Sequence, residues 1–241
     1  MEPRTSVIEK RLKHINRIIA VASGKGGVGK SMVASNLALH LSQHGYRVGL
    51  LDLDLYGPSS HIILGVKNKF PREEKGIIPP IIHRISFMSI VYFTEEKPSP
   101  FRGIDISNII LELLAITQWG SLDFLIIDMP PGIGDETLDV IRYIKRSEFL
   151  VVTTPSKVAM GAVGKLLTML IELKKPVLGV IENMTMIDAS FIEHEVKRLQ
   201  VRYLGKIHFD HTLEESIGNP DALSETQMMK DLSMILQKIK L

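Results

Sequence analysis

Residues 18–32 read IIAVASGKGGVGKSM, an apolar run followed directly by a glycine-rich turn. The turn fits the P-loop pattern G-x-x-x-x-G-K-[ST], with Gly24, Gly29, Lys30 and Ser31 in the fixed places. Glycines let the backbone wrap around phosphate oxygens, so that successive N–H groups point inward. Lys30 is predicted to reach the β- and γ-phosphates, and the Ser31 hydroxyl to ligate Mg²⁺. The predicted nucleotide-binding residues of this turn are Gly24, Lys25, Gly26, Gly27, Val28, Gly29, Lys30, Ser31 and Met32.

Apolar runs like the first recur along the chain and are separated by amphipathic stretches. The runs are apolar throughout rather than alternating, which is typical of strands buried on both faces of a parallel sheet. We therefore expect an α/β fold, with a doubly wound, mostly parallel sheet and helices on both faces. The runs are IIAVA (18–22), VGLLD (48–52), FLIID (124–128), FLVVT (149–153) and VLGVI (177–181), and the predicted helices cover 31–44, 104–117 and 157–173.

The domain organisation predicted from this alternation is simple. Residues 1–241 are expected to form a single P-loop ATPase domain, with a basic, solvated arm at 1–16 and a C-terminal helix at 222–241. The apolar stripe of that last helix is expected to pack on the core, and membrane binding is the alternative. The proline-rich region 65–102 is expected to form long surface loops around one or two short strands, one of them near Ile85–Ile90.

Composition and charge exclude several classes of protein. The 241 residues are 45% hydrophobic and 23% charged, unlike a disordered chain. There is no cysteine, which excludes disulfides, thiolate zinc sites, cysteine nucleophiles and clusters held by the chain's own thiolates. Residues 1–17 carry a net charge of +3, whereas the whole chain carries +2. The remainder of the chain is therefore close to neutral, and no nucleic acid is expected as a partner. We find no signal peptide and no membrane span, so a cytoplasmic location is expected.

Three aspartates follow buried runs of the predicted sheet. Asp52 and Asp54 end the second run, and Asp128 ends the third. The carboxyl ends of parallel strands share one edge of a sheet, so these carboxylates are expected to converge on the phosphates and Mg²⁺. Asp128 is predicted to hold Mg²⁺, Asp52 to support Mg²⁺ or Lys30, and Asp54 to position the attacking water. Ser31, Asp52 and Asp128 are therefore the predicted metal site.

The P-loop contains a second lysine, Lys25. The form K-G-G-x-G-K-[ST] resembles the deviant Walker A motif of the MinD/ParA and Mrp ATPases. That resemblance implies a homodimer in which Lys25 reaches the partner's nucleotide and supplies a transition-state cation in trans, as an arginine finger does. The predicted catalytic residues are Lys25, Lys30, Asp54 and Asp128.

Longer segments resemble one branch of that class, the Mrp/ApbC-type iron–sulfur cluster carriers among the SIMIBI P-loop NTPases. The resemblance covers about residues 17–220 and implies a slow, Mg²⁺-dependent ATPase that works as an ATP-driven dimer with iron–sulfur client or scaffold proteins. It also implies that Asn183 reads adenine, since a side-chain amide both donates and accepts. The segments are SGKGGVGKS (23–31), DLDLYGPS (52–59), FRG (101–103), WGSLDFLIIDMPPGIGD (119–135), VTTP (152–155) and VLGVIENM (177–184).

The chain departs from this branch at the cluster-binding motif. Relatives carry C-P-x-C after ENM, and those cysteines bridge a cluster between two subunits, whereas residues 185–196 contain no thiol. Direct cluster binding is therefore doubtful. This segment does contain acidic and histidine side chains, which we interpret as a polar helix face, with metal ligation as the alternative. They are Asp188, Glu193, His194 and Glu195.

Two smaller departures concern the nucleotide. Met32 stands where many relatives have a threonine that contacts the α-phosphate, so weaker binding is expected at most. His208 replaces a proline in the segment G-K-I-H-F-D (205–210), which the resemblance puts near the base. With Asp210 and His211 it could form a metal site, although a loop with satisfied side chains is the preferred interpretation.

Two other functions remain possible from the sequence. A MinD/ParA-type positioning ATPase would bind membrane or nucleoid as an ATP dimer. A kinase or ligase would use the same P-loop on a small substrate, but the sequence contains no recognisable acceptor site. The strings DLYGPS and PPGIGD favour the iron–sulfur carrier branch over both.

Overall fold

Strands and helices alternate along the chain, as predicted. The computed structural model describes residues 4–93, 103–186 and 190–239. The strands are β1 (Ile15–Ser23), β2 (Val48–Asp52), β3 (Arg72–Glu73), β4 (Ile77–Ile78), β5 (Ile81–Ile82), β6 (Ile85–Ser89), β7 (Leu122–Asp128), β8 (Ser147–Thr153), β9 (Val177–Thr185) and β10 (Tyr203–His208). The helices are α1 (Arg4–Leu12), α2 (Lys30–Gln43), α3 (Ser60–Ile63), α4 (Gly103–Ile116), α5 (Asp135–Tyr143), α6 (Lys157–Glu172), α7 (Ser190–Arg198), α8 (Leu213–Ser216), α9 (Pro220–Glu225) and α10 (Gln227–Leu236), with a 3₁₀ turn at Ile90–Tyr92.

Eight strands form one sheet in the order β10-β9-β8-β1-β7-β2-β6-β5. Neighbouring strands are parallel except for β5, which runs antiparallel to β6. Successive side chains of β1 enter opposite cores: Ile18 packs with α1, α4, α5 and α6 on one face, and Ile19 packs with α2 and α10 on the other. The continuous apolar runs are thus explained by burial on both faces. The predicted doubly wound α/β fold is confirmed.

The N-terminal arm contains helix α1, and this helix is partly buried. Ile8 and Leu12 are buried in α1 and pack in the core that also contains the apolar face of α4. Arg11 Nε donates to the carbonyl of Ala115 at 3.1 Å. The predicted helix is therefore solvated on one side only, because Ile8 and Leu12 lie one helical turn apart and pack in the core.

The C-terminal helix predicted at 222–241 is two helices, α9 and α10. The helical conformation is interrupted at Thr226, whose hydroxyl accepts a hydrogen bond from the Met229 N–H at 3.2 Å and so caps α10. The apolar stripe of α10 is buried against β10 and α2, with Met228, Leu232 and Ile235 in the core. The helix thus packs on the core. The apolar stripe that membrane binding would need is covered by the rest of the protein.

The region 65–102 contains more strands than predicted. The strand expected near Ile85–Ile90 is β6, and β3 and β4 form a separate two-stranded ribbon. Residues 94–102, which include Phe101 and Arg102 of the FRG segment, lie outside the described residues. In the parts of the chain that the structure describes, no helix has both the length and the apolar character needed to cross a bilayer.

Candidate active site at the carboxyl edge of the sheet

The glycine-rich turn joins β1 to α2 at the carboxyl edge of the sheet. The Ser23 hydroxyl donates to the Lys25 carbonyl at 2.9 Å, and the Asn183 Nδ2 donates to the Val28 carbonyl at 2.9 Å. Helix α2 begins at Lys30 and its first backbone hydrogen bond runs from Val33 N to Gly29 O at 3.0 Å. Two side chains outside the turn's own pattern therefore hold it in shape.

The glycines of the turn differ in the space that a side chain would find around them. A Cβ on Gly24 would lie 2.5 Å from the backbone carbon of Ala162 in α6, and one on Gly29 would lie 2.2 Å from Asn183 Nδ2. A Cβ on Gly26 or Gly27 would meet nothing within 4 Å. The turn is thus packed tightly on its protein side and open on the other, as a loop that receives phosphate must be.

This difference predicts opposite outcomes for two similar substitutions. Gly24→Ala forces the backbone of α6 away and should lower the free energy of unfolding by about 1–3 kcal/mol. Gly26→Ala puts a methyl group into open space and should change it by less than about 0.5 kcal/mol. Urea unfolding of both variants without nucleotide measures the difference. Equal stability of the two variants would contradict the close packing at Gly24.

Lys30 lies among the predicted carboxylates. Its ammonium is buried, contacts Asp128 Oδ1 in a short ion pair, and lies 3.6 Å from Asp54 Oδ2. Asp52 and Asp128 are direct neighbours in the register of β2 and β7, and both are fully buried. The structure thus brings Lys30 and the three strand-end aspartates together, as the shared edge of a parallel sheet predicts.

The loop after β2 is organised by these same carboxylates. Asp52 accepts hydrogen bonds from the backbone N–H groups of Asp54 (3.0 Å) and Ser60 (3.2 Å), while Asp54 accepts one from Gly57 N (3.1 Å). The Ser60 hydroxyl donates to Asp128 Oδ2 at 3.1 Å. Sequence reasoning missed Ser60, although a serine at the start of a helix after Gly-Pro was the available signal.

Burial dominates the electrostatics of the cluster. Burial, followed by the charge of Asp128, raises the pKa of the Asp52 carboxyl to about 8. Burial also raises the pKa of Asp128, against the opposing charge of Lys30. The cluster contains three carboxyl groups and one ammonium group. Its acidic groups are therefore in excess, and a divalent cation would neutralise them.

This donor set fits Mg²⁺. The ion prefers oxygen ligands and usually keeps several waters, with one or two protein ligands beside the substrate phosphates. The Ser31 hydroxyl lies 3.3 Å from Lys30 Nζ, next to the Asp128 carboxylate, so hydroxyl and carboxylate oxygens share one small region. Ser31, Asp128 and Asp52 are the residues that would hold the ion, and it would supply charge neutralisation at the phosphates.

A cavity of about 600 Å³ extends from the P-loop to the end of β10 and the start of α10. Its size suits a nucleotide. Asn183 lies under the P-loop and lines the cavity, but its amide donates to the turn itself. Its predicted contact with adenine stays a prediction. Other predicted residues that line the cavity are Lys25, Gly26, Gly27, Gly29, Lys30, Ser31, Met32 and Asp54.

The alternative metal ligands do not converge. Glu193 and Glu195 form ion pairs with Lys197 and Arg198 on the same helix, and Asp188 lies outside the described residues. Across residues 4–93, 103–186 and 190–239, no three His, Asp or Glu side chains are grouped as a metal site would require. A Mg²⁺ ion bound together with a nucleotide would need no such group, because phosphates and waters would complete its shell.

Where β10 borders the cavity, Asp210 and the two histidines have partners within the protein. Asp210 accepts from the Thr212 hydroxyl at 2.7 Å and from the Gln227 N–H at 2.8 Å. His208 pairs with Asp231 at 2.8 Å, and the His211 ring lies against Phe209. Asp210, His208 and His211 thus have separate partners and do not form a shared metal site.

A glycine-rich turn that leads into a helix, with strand-end carboxylates beside its lysine, is the arrangement of a P-loop NTPase. Residues 14–240 match the ParA family model described as the NUBPL iron-transfer P-loop NTPase. The chain belongs to this family.

Individual relatives agree with the family. An iron–sulfur cluster carrier protein of Aquifex aeolicus is 45% identical over 73% of this chain, and this match spans only about half (49%) of the relative's length. The carrier protein of Pyrococcus abyssi is 35% identical over 99% of this chain and 90% of its own length. A solved nucleotide-binding protein from Archaeoglobus fulgidus, in complex with ADP, is 32% identical, with a TM-score of 0.77 over 92% of this chain and 93% of that one.

Proposed function

We propose that this chain binds ATP with Mg²⁺ in the P-loop cavity and hydrolyses it slowly. The observation that carries the proposal is the buried Lys30 among three strand-end carboxylates, directly behind a turn whose open side faces a nucleotide-sized cavity. Lys30 binds the β- and γ-phosphates, Ser31 and Asp128 hold Mg²⁺, and Asp52 supports both. Asp54 lies at the cavity wall and positions the attacking water. Positioning and charge neutralisation are the main requirements of phosphoryl transfer.

The proposal includes a homodimer that closes over the nucleotide. Lys25 is exposed and lines the same cavity, whereas Lys30 is buried. An exposed lysine is free to extend toward a second subunit, where it adds positive charge to the partner's phosphates during hydrolysis. We propose that ATP-driven rearrangement of this dimer couples ATP turnover to iron transfer.

Met32 provides a test of the phosphate end of the cavity. It is partly buried and lines the cavity one residue after Ser31. Met32→Thr should restore a hydroxyl at the α-phosphate and tighten nucleotide binding about 3- to 10-fold relative to Met32→Val, which has the same shape without the hydroxyl. Titration with a fluorescent ATP analogue and Mg²⁺ measures the ratio. Equal affinity of the two variants would place the α-phosphate elsewhere.

We further propose that the chain acts in iron–sulfur cluster assembly with a partner that supplies the thiolates. The 241 residues contain no cysteine, and the curated relatives are named as cluster carriers. Thiolates are the ligands that hold such clusters. The role left to this chain is to couple ATP turnover to a cysteine-bearing partner.

Anaerobic reconstitution tests this division of labour. Incubated alone with iron and sulfide, the chain should give no cluster absorbance after desalting. A bacterial scaffold with intact cysteines, treated in the same way, is the positive control. A stable cluster spectrum on the purified chain would overturn the proposal that a partner supplies the ligands.

A further inference from the structure

A histidine–aspartate pair lies where β10 and α10 border the cavity. His208 ends β10 and lines the cavity, and its imidazole is half exposed. Its Nδ1 lies 2.8 Å from Oδ2 of Asp231, which is buried in α10. The same oxygen accepts the His208 backbone N–H at 2.8 Å, and Gln227 Nε2 donates to the other oxygen at 2.8 Å. The ring is thus held by a carboxylate that is itself fixed.

These contacts determine which ring nitrogen carries the proton in the neutral imidazole. A carboxylate only accepts hydrogen bonds, so Nδ1 of His208 must be the donor to Asp231. The other ring nitrogen, Nε2, then has a free lone pair and is an acceptor. Among the described residues, the structure records no hydrogen bond to this Nε2.

The position of His208 makes this acceptor relevant to the nucleotide, an argument that rests on the proposed function. With the phosphates on the P-loop, a base that follows the cavity would extend toward the residues of β10 and α10 that line it. Adenine presents a 6-amino donor on one edge, whereas guanine presents the acceptor O6 at the same place. An acceptor fixed at the end of β10 therefore distinguishes the two purines.

The neighbouring carboxylate is not available to compensate for guanine. A free carboxylate could accept from the ring N–H and the 2-amino group of guanine. Asp210 instead accepts from Thr212, Gln227 and Met228. Its lone pairs are engaged within the loop.

We propose that His208 is a specificity-determining residue, which accepts a hydrogen bond from the 6-amino group of adenine, and that Asp231 is its positioning residue. A neutral Nε2 favours a 6-amino purine and disfavours a 6-oxo purine, because an acceptor facing an acceptor leaves both unpaired.

Competition titrations at pH 8 test the assignment with ATP, GTP and purine riboside 5′-triphosphate, which lacks only the 6-amino group. The wild-type chain should bind ATP about 3- to 10-fold more tightly than the purine riboside analogue, and GTP more weakly still. In His208→Phe the ratio of ATP to analogue should fall to about 1. In His211→Phe, the matched control at an exposed neighbouring histidine, the ratio should persist.

Two variants separate the positioning role of Asp231 from a merely structural one. Asp231→Asn keeps an oxygen that accepts from Nδ1 and should keep the ratio, whereas Asp231→Ala should lose it while phosphate-dependent binding persists. Equal binding of ATP and the analogue by wild type, or an unchanged ratio in His208→Phe, would overturn the assignment alone. Failure of the wild type to bind any of the three nucleotides would instead overturn the proposed function, and the assignment with it.

Discussion

Replacing Lys30 with alanine is expected to abolish nucleotide binding, with a loss in affinity for MgATP of at least about 100-fold. The Lys30 ammonium is buried against Asp128 and Asp54 at the inner end of the cavity. Without it, the buried carboxylates face the polyphosphate with no protein charge to offset them. Titration with a fluorescent ATP analogue at fixed Mg²⁺ measures the loss.

Lys25→Ala is the matched control, since it removes a lysine from the same turn. Lys25 is exposed and forms no part of the buried cluster, so this variant should bind nucleotide within about threefold of wild type. Circular dichroism and thermal melting should confirm that both variants are folded. An affinity for MgATP in Lys30→Ala that is close to wild type would refute the assignment of the P-loop lysine.

The second large effect concerns turnover. Lys25→Ala should reduce the rate of phosphate release by about 1000-fold while sparing binding, because a trans cation acts mainly on the transition state. Asp54→Asn should also slow turnover, since it removes the charge that orients water and keeps an oxygen for the Gly57 N–H. Single-turnover phosphate release measures both variants.

Mixing the two slow variants, Lys25→Ala and Asp54→Asn, decides whether Lys25 works in cis or in trans. In a mixed dimer, the subunit with Lys25→Ala keeps its own Asp54 and receives Lys25 from the Asp54→Asn subunit, so one complete site is restored. Activity should therefore reappear on mixing, up to about a quarter of the wild-type rate if the subunits exchange freely. If Lys25 acted within its own subunit, neither site would be complete and the mixture would stay inactive.

Much of the fold and the centre of the site could be predicted because both depend on local patterns. The glycine turn with Lys30 and Ser31 has a fixed spacing, and the unbroken apolar runs identify strands covered on both faces. Parallel strands share one carboxyl edge, so Asp52 and Asp128 could be brought together before the strand order was known.

The rest depended on contacts between distant segments. Ser60 reaches Asp128 only because β2 and β7 are neighbours, and Asn183 reaches Val28 across 155 positions of sequence. Strand β10 was missed because it is short and only partly buried at the edge of the sheet, so its pattern is weak. The break at Thr226 was missed because threonine occurs inside helices as well as at their caps, so the residue alone does not mark a new start.

The contact between Gly24 and Ala162 joins two backbones with no side chain between them. A side chain can absorb a small displacement by changing rotamer, whereas two peptide planes in contact cannot. A displacement of α6 toward the phosphate-binding turn would therefore meet backbone rather than a side chain that could adjust, so the position of α6 limits the conformations open to the turn.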